Sequence, residues 1–476
     1  MGIGELQLVV NDMPGHDYGK IRLASHTHFD QNIGVMCWNH FLSKYFIAIL
    51  LVILACFPVR ADLVGHGGMI RAVDMSPDGR YVLTGSFDYS AIVWDFGEQR
   101  EITRLIGHNG PVTSVSFAGN TGRALTASDD STLILWDIGK QAPIFRLQGH
   151  KHKVMSAAIT TDGTVAASGG WDSKVIVWSL LTGNSERTLK IGAPVNSVVF
   201  LGDSQRIAVG GHDRTIRLYD TTNGRFLGKM EGHLMGITQL SSSADGSRLL
   251  SASIDGSVRL WDPATFKELA TFEGHESQVF SIRFVNGDNT AISTGRDGKI
   301  IHWDLKSGKR LKTIKAHGSI VWAVVPSSDG RFAVSAGTDE TARIWHLASG
   351  DRIGTEIGAN DEPKPWLDSD HPGAGLYKKC ARCHAFRSDL IQRSGPHLQN
   401  LFGRRAGSVE GYKYSQALTG KTFEWNEKTV FELFDKGPDV LLPGTKMPIQ
   451  KVTDASRLHE LVDYLKELTS PTSQAN

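Results

Sequence analysis

Short apolar segments alternate with polar turns along the chain, and between residues 63 and 358 this alternation repeats. Seven segments end alike, from "SFDYSAIVWD" to "GTDETARIWH", and their anchoring aromatic residues stand 41 or 42 positions apart. These aromatic residues are Trp94, Trp136, Trp178, Tyr219, Trp261, Trp303 and Trp345. β-branched runs such as "GSVRLW", bounded by Gly, Asp and Asn, predict short strands. A single small sheet leaves its faces uncovered, so the repeat predicts seven sheets packed around an axis.

Each repeat also carries polar residues at fixed positions. Histidines, most in a Gly-His pair, precede six repeats, whereas the fourth has "KIGAPV"; they are His66, His108, His150, His233, His275 and His317. An aspartate stands six residues before every aromatic anchor: Asp88, Asp130, Asp172, Asp213, Asp255, Asp297 and Asp339. These residues closely resemble the WD-repeat family, which implies a seven-bladed β-propeller with four antiparallel strands per blade. The resemblance also implies that each Asp bonds its His, which reaches a Ser or Thr and the Trp, so that both residues are structural.

Closure of the ring leads to a specific expectation. If the leader is removed, only Asp62, Leu63 and Val64 precede the first Gly-His pair, too few for a full strand. We therefore expect the outer strand of the last blade to come from residues 351–358. No strand would then interlock the first and last blades, and their interface would be the weakest.

The N-terminal segment has the pattern of an export signal. Residues 46–59 form an apolar run after Lys44, and Val59-Arg60-Ala61 supplies small residues for cleavage. The run is short for a membrane span. We predict a leader and signal peptide over residues 1–61, with Met36 as an alternative start, and a periplasmic location in a Gram-negative bacterium. Membrane association would need an uncleaved signal or a lipid anchor at Cys56.

Charge excludes one class of partner. The 476 residues include 51 basic and 50 acidic side chains, for a formal net charge of +1. A nucleic-acid-binding surface would normally appear as an excess of Lys and Arg, so no nucleic-acid partner is expected.

The periodicity changes after the repeats. We predict a polar, Pro-rich linker over residues 359–371, a small all-α domain over residues 372–470 and a disordered tail over residues 471–476. Asp454 is expected to cap the last helix. The fold class is therefore multidomain, with an all-β seven-bladed propeller over residues 62–358 followed by a small all-α domain.

The segment "KKCARCHAF" in this domain carries candidate chemistry. Cys380, Cys383 and His384 fit half of a zinc site, a redox dithiol or a haem attachment site. After removal of the leader no second cysteine pair remains to complete a zinc site, and no βαβ pattern supports a dithiol. The motif in an exported protein therefore favours covalent haem.

Further blocks resemble the class I cytochromes c over roughly residues 372–468. They include "GPHLQNLFGRRAG", "YKYSQAL", "FEWNEKTV", "PGTKM" and "LVDYLKEL". The resemblance implies one haem c, with thioethers from Cys380 and Cys383 and iron ligands from His384 and Met447. It also implies haem-pocket roles for five residues, of which Pro396 orients the His384 ring: Pro396, Arg404, Tyr414, Trp425 and Thr445. One position departs from the family pattern, since Leu433 stands where a Tyr often bonds the methionine sulfur.

A His/Met-ligated iron has no open position for a substrate, so the resemblance implies one-electron transfer. We expect a periplasmic redox protein or a membrane respiratory complex as partner, with the propeller as a docking platform. A basic rim could surround the haem edge: Lys378, Lys379, Arg404, Lys413, Lys446 and Lys451. The alternative is an oxidoreductase with a second cofactor or a substrate site in the propeller.

Overall fold

The computed structural model describes two stretches of the chain. They are residues 62–354 except 203 and 286, and residues 363–470 except 368, 382, 391–394, 413, 415–416, 444, 446, 448–450 and 453. The predicted leader over residues 1–61, the tail over residues 471–476 and the linker residues 359–362 and 368 lie outside the described residues. No helix within the described part of the chain has the length and apolar character needed to cross a membrane.

Seven antiparallel sheets form the larger part of the structure, as the repeat predicts. Strand β1 (Leu63–Val64) belongs to the last sheet, and the first six sheets have four strands each, in the order of the sequence. Blades 1 to 3 are β2 (Ile70–Met75), β3 (Tyr81–Ser86), β4 (Ser90–Asp95), β5 (Arg100–Ile106); β6 (Val112–Phe117), β7 (Arg123–Ser128), β8 (Thr132–Asp137), β9 (Ala142–Gln148); and β10 (Val154–Ile159), β11 (Val165–Gly170), β12 (Lys174–Ser179), β13 (Ser185–Lys190). Blades 4 to 6 are β14 (Val195–Phe200), β15 (Arg206–Gly211), β16 (Ile216–Asp220), β17 (Phe226–Met230); β18 (Ile237–Ser242), β19 (Leu249–Ser253), β20 (Ser257–Asp262), β21 (Lys267–Glu273); and β22 (Val279–Phe284), β23 (Thr290–Gly295), β24 (Lys299–Asp304), β25 (Arg310–Lys315). Blade 7 contains β26 (Val321–Pro326), β27 (Phe332–Gly337), β28 (Thr341–His346) and β29 (Arg352–Ile353), in addition to β1. The first strand of each blade contacts the first strands of both neighbours, so the seven sheets close into a propeller around a central channel.

The expected polar network is confirmed in six blades. In blade 1, His66 Nδ1 lies 2.9 Å from Asp88 Oδ2, and its Nε2 lies 2.8 Å from the hydroxyl of Thr84. Trp94 Nε1 donates to the same hydroxyl at 2.8 Å. Equivalent bonds hold blades 2, 3, 5, 6 and 7. The network joins the loop before each blade to two of its strands, so it fixes blade geometry.

Blade 4, which lacks the histidine, compensates locally. The Asp213 carboxylate accepts from both terminal nitrogens of Arg217, at 3.1 and 2.6 Å. A side chain four residues away therefore replaces the histidine as partner of the turn aspartate.

The expectation for ring closure is wrong in one respect. Leu63 and Val64 pair with Ala342 and Thr341, while Arg352 and Ile353 pair further along the same strand, β28. The outer strand of blade 7 is therefore shared between the two ends of the propeller, and β1 interlocks the first and last blades. Although β1 has only two residues, its Leu63 side chain is fully buried in a cluster formed by blades 1 and 7. This burial is enough to hold the short strand in the sheet.

Side-chain hydrogen bonds around the channel join six of the seven pairs of neighbouring blades among the described residues. Backbone N–H groups of blades 3 to 7 each donate to a polar side chain of the preceding blade: Ser114, Ser156, Ser197, Gln239 and Ser281. Between blades 1 and 2 the Asp74 carboxylate accepts from Phe117 N at 2.8 Å. The corresponding residue of blade 7 is Ala323, which has no side-chain acceptor. Blades 1 and 7 are also linked through β1, which pairs with β28.

The described residues after the linker form a small helical domain. Its helices are α1 (Ala374–Cys380), α2 (Glu427–Lys436), α3 (Pro438–Leu441) and α4 (Ala455–Thr469). The Asp454 carboxylate accepts from Ser456 N and Arg457 N, which confirms the predicted cap of α4. Helices α1 and α4 meet at Gly373, where a Cβ atom would lie 2.1 Å from Glu460 O. Tyr377 of α1 and Tyr464 of α4 pack edge to face in the core of this domain.

Candidate functional site

A largely apolar cleft opens beside helix α1 and measures about 1310 Å³ out to its open side. All nine site residues named from the sequence line it: Cys380, Cys383, His384, Pro396, Arg404, Tyr414, Trp425, Thr445 and Met447. The apolar part of the lining includes Leu398, Leu401, Val430, Leu433, Phe434 and Leu442. Residues spread over 68 positions of the sequence thus converge on one site.

The backbone turn that ends helix α1 places the two cysteines and the histidine. Cys383 N and His384 N donate to Cys380 O at 3.0 and 2.9 Å, so the segment continues as a tight turn. Both sulfur atoms belong to residues that line the cleft, and no disulfide joins them. Burial raises the pKa of the Cys380 thiol to about 12, so this thiol is protonated at neutral pH.

The imidazole of His384 is held by a backbone carbonyl. Its Nδ1 lies 2.7 Å from Pro396 O, and because a carbonyl only accepts, Nδ1 carries the proton. The Nε2 atom then has the lone pair that a metal requires. Gly395 lies against this ring, since a Cβ atom there would be 2.4 Å from His384 Cε1. Pro396 and Gly395 together fix the orientation of the imidazole.

Methionine 447 lies in a separate segment that follows helix α3. Its backbone N donates to Thr445 Oγ1 at 3.2 Å, which shapes this loop. Leu433 of helix α2 is buried in the lining, so an apolar side chain occupies the position where the family often has a Tyr.

Hydrogen bonds to backbone groups hold three other predicted residues in place. Arg404 donates from its two terminal nitrogens to Gln399 O and His397 O, at 2.9 and 3.0 Å. Trp425 N donates to Arg404 O at 2.9 Å, and Tyr414 Oη accepts from Val409 N at 3.3 Å. Burial lowers the pKa of Arg404, whose charge faces the cleft without a nearby carboxylate among the described residues.

Comparisons with known proteins agree with both halves of this architecture. A model of the family "WD domain, G-beta repeat" matches residues 57–95, 99–137, 141–179, 183–220, 224–262, 266–304 and 308–346, more than half of the chain. A cytochrome c of Gibberella zeae is 43% identical over 98 residues, 20% of this chain and 92% of its own length. A cytochrome c of Arabidopsis thaliana is 39% identical over 98 residues, 20% of this chain and 87% of its own. Cytochrome c2 of Blastochloris viridis is 33% identical over 102 residues, 21% of this chain and 80% of its own.

The chain belongs to the WD-repeat family and carries a cytochrome c domain at its C-terminal end. Identity of 33–43% to cytochromes c implies a covalently bound haem c. The cleft fits this group, because two thiols at thioether spacing and an oriented imidazole line one mainly apolar space. Among the described residues no cluster of three or more His, Cys, Asp or Glu forms another metal site.

The predicted basic rim of the cytochrome c domain is only partly described. Lys378, Lys379 and Lys451 are exposed, whereas Arg404 is partly buried and bound to carbonyl groups. Lys413 and Lys446 lie outside the described residues.

Sequence reasoning missed one wall of the cleft. Tyr412 lines it and packs edge to face on Tyr414, with ring centroids 4.8 Å apart. Burial raises the pKa of Tyr412 to about 12. Five propeller residues from the β3–β4 turn, the end of β5 and the loop before blade 2 complete this wall: Asp88, Tyr89, Ser90, Ile106 and His108. The WD motif identifies Asp88 and His108 as members of the blade network, and nothing in the repeat indicates that this turn faces the cytochrome c domain.

Proposed function

We propose that this chain is an exported c-type cytochrome that transfers single electrons, with a propeller that docks a redox partner. When bound, the haem supplies a reversible one-electron couple. The observation that carries the proposal is the convergence of all nine predicted residues on one cleft that contains an oriented histidine. Cys380 and Cys383 would form the thioethers, and His384 and Met447 would ligate the iron.

The chain's own residues prepare the site for electron transfer. The Pro396 carbonyl holds the imidazole in one orientation, and the apolar lining excludes water. A thioether such as Met447 favours the reduced state and raises the reduction potential. Both ligands remain in place during electron transfer, so little structural change is required.

Replacement of the methionine tests this ligand assignment. In Met447→Ala we expect the iron to bind cyanide or imidazole readily and the reduction potential to fall on the order of 100 mV, within the ~0.8 V range that axial ligands span. Met235→Ala, at an exposed position of the propeller, is the matched control. An unchanged spectrum and potential in Met447→Ala would remove Met447 from its role, while a colourless wild type from a host with haem c maturation would refute the haem proposal.

The propeller extends this proposal to a partner and a location. WD propellers support protein interaction, and we propose a soluble redox protein or a membrane respiratory complex in the periplasm. The support for the location is the apolar run and Val-x-Ala site at residues 46–61, which lie outside the described residues. N-terminal sequencing of the periplasmic fraction should find Asp62 first, and retention of the protein in the cytoplasm would contradict the proposal.

A further inference from the structure

The inner strands of all seven blades share a bulge at their second position. The register shifts there in each blade, for example between Ile70 and Ala72. A bulged residue leaves the ladder, so its side chain can point elsewhere. All seven bulged residues line one cavity in the central channel: Arg71, Thr113, Met155, Asn196, Thr238, Phe280 and Trp322.

Three polar members of this ring are occupied in joining blades. Thr113 Oγ1 donates to Val154 O at 2.5 Å, Asn196 Nδ2 donates to Ile237 O at 2.7 Å, and Thr238 Oγ1 donates to Val279 O at 2.7 Å. The remaining donors, on Arg71 and Trp322, lie side by side in blades 1 and 7.

These two donors have no protein acceptor among the described residues. Trp322 Nε1 is buried without a hydrogen-bond partner in the part of the chain that the structure describes. The Arg71 guanidinium stacks over the Trp322 ring, 4.9 Å from its centroid, and has no hydrogen bond or ion pair among the described side chains and backbone. Phe280 also packs against Trp322, with ring centroids 4.3 Å apart, so two side chains hold the indole. Stacking occupies the face of the guanidinium and leaves its N–H edges available.

The charges around this cavity are predominantly positive. Arg283 of blade 6 also lines it, and burial lowers the pKa of Arg283 and brings that of Arg71 to about 10. Two acids lie close enough to oppose this lowering, since the charge of Asp129 raises the pKa of Arg71 and that of Asp74 raises the pKa of Arg283. Each carboxylate also has another partner, because Asp74 accepts from Phe117 N and Asp129 binds Lys153 Nζ at 2.6 Å. Arg71 is only partly buried, so its N–H groups can reach a ligand that enters the channel.

We propose that this cavity binds a carboxylate, with Arg71 and Trp322 Nε1 as the donors to its oxygens. The flat N–H edge of a guanidinium matches the two oxygens of a carboxylate, and the narrow channel suits a group that enters end-on. An acidic side chain of the redox partner is one source of the group, and a free dicarboxylate is the other.

This inference extends the proposed docking role of the propeller. It rests on that proposed role where the carboxylate belongs to an acidic side chain of the redox partner. The channel mouth lies on the face that the cytochrome c domain contacts, because Ile70 pairs with Ser86 beside the turn that holds Tyr89. A partner anchored in the channel would therefore be held near the haem.

Nitrogen-15 spectra of the indole groups in the reduced holoprotein test the site. The Trp322 signal is assigned with Trp322→Phe, and the probes are succinate and an acetylated glutamate-rich peptide. We expect a saturable shift of the Trp322 N–H and a roughly tenfold weaker affinity in Arg71→Gln, as loss of a charge-assisted hydrogen bond requires. Arg80→Gln is the matched control, since Arg80 stacks on Tyr81 in the same blade but is exposed outside the channel.

The pattern of shifts distinguishes a small dicarboxylate from a protein partner. A shift with both probes supports a small dicarboxylate, and a shift with the peptide alone supports a protein partner. No shift with either probe, or equal affinities in Arg71→Gln and Arg80→Gln, would overturn the site. Because the readout is an indole in the propeller, such a failure leaves the haem measurements on Met447→Ala unaffected.

Discussion

At the residue scale, the haem site depends on a glycine, Gly395, that leaves room for the imidazole of His384. The turn after Cys380 places Cys383 and His384, but the imidazole keeps its orientation only because the segment at Gly395 passes close to it. The 2.7 Å bond to Pro396 O requires that close approach. A position without any side chain is therefore as important to the orientation of His384 as the residue that binds its ring nitrogen.

The substitution Gly395→Ala tests this dependence. The new Cβ atom would lie 2.4 Å from His384 Cε1, so the ring must move and its bond to Pro396 O must lengthen. We expect a loss of about 1–3 kcal/mol in the free energy of unfolding, as for overpacked sites, together with a lower haem content per chain. Thermal unfolding followed by haem absorbance measures the first effect, and pyridine haemochrome analysis the second.

Gly375→Ala in helix α1 is the matched control, because no atom lies within 4 Å of its added Cβ. It should be neutral or slightly stabilising, as Ala replaces Gly in a helix. Equal behaviour of the two variants would show that Gly395 does not constrain the imidazole.

The sequence identified the residues with distinctive chemistry and missed those that act by shape. Cys380, Cys383, His384 and Met447 are recognisable by type, spacing and resemblance, and the structure brings them to one cleft. Gly395 could not be recognised, because its importance is a distance between segments. The contact of Tyr89 with the cleft depends on how two domains meet, which no periodicity records.

At the element scale, each blade is a sheet whose turn and preceding loop are fixed by one buried polar network. Asp130 accepts from His108 Nδ1 at 3.0 Å, from Asn109 N at 2.8 Å and from Thr132 Oγ1 at 2.7 Å. Burial alone would raise the pKa of Asp130, but these hydrogen bonds outweigh burial and hold that pKa well below its usual range. The carboxylate is thus more stable in the folded protein than in the unfolded chain.

This depressed pKa predicts a pH-dependent effect of Asp130→Asn. The stabilisation by the carboxylate is fully present above the unfolded pKa of about 4 and is lost as the pH falls towards the folded value. We expect the variant to lose about 2–3 kcal/mol at pH 7 and the difference from wild type to narrow below pH 4. Urea unfolding at several pH values measures it, and a pH-independent difference would contradict the assignment.

The short strand β1 shows where an element-level prediction fails. Two residues carry no periodicity, so the sequence predicts no strand at Leu63 and Val64, although the structure pairs both with β28. The repeat itself held a signal, because each matched WD segment begins with the outer strand of the preceding blade, and the first segment starts at residue 57. That register agrees with the pairing of Leu63 and Val64 with β28 of blade 7.

Leu63→Ala tests the closure. Leu63 is fully buried between blades 1 and 7, so truncation should cost about 2–5 kcal/mol in the free energy of unfolding. Leu269→Ala, at a leucine that is 54% exposed on β21, should change it by less than about 0.5 kcal/mol. Calorimetry on both variants decides the point, and similar small losses would mean that β1 does not hold the ring.

At the scale of the whole molecule, the propeller forms part of the wall of the haem cleft. Tyr89 is half-buried at the tip of the β3–β4 turn, and burial and the nearby Cys383 raise its pKa. Tyr412 of the cytochrome c domain likewise lies within the influence of Arg104 and Asp88 of the propeller. The exposure of the haem therefore depends on both domains.

Tyr89→Asn should remove this cover without disturbing the blade. Tyr89 has a φ of 71°, and Asn tolerates this left-handed conformation better than Ala, so the turn is kept. Water admitted to the cleft stabilises the more highly charged oxidised iron, and we expect the reduction potential to fall by tens of millivolts. Ser173→Asn is the matched control, because Ser173 holds the same turn position in blade 3 with a φ of 62° and does not line the cleft. Potentiometric titration of both holoproteins compares them: a fall confined to Tyr89→Asn places the propeller turn over the haem in solution, whereas equal potentials would mean that the two domains separate there.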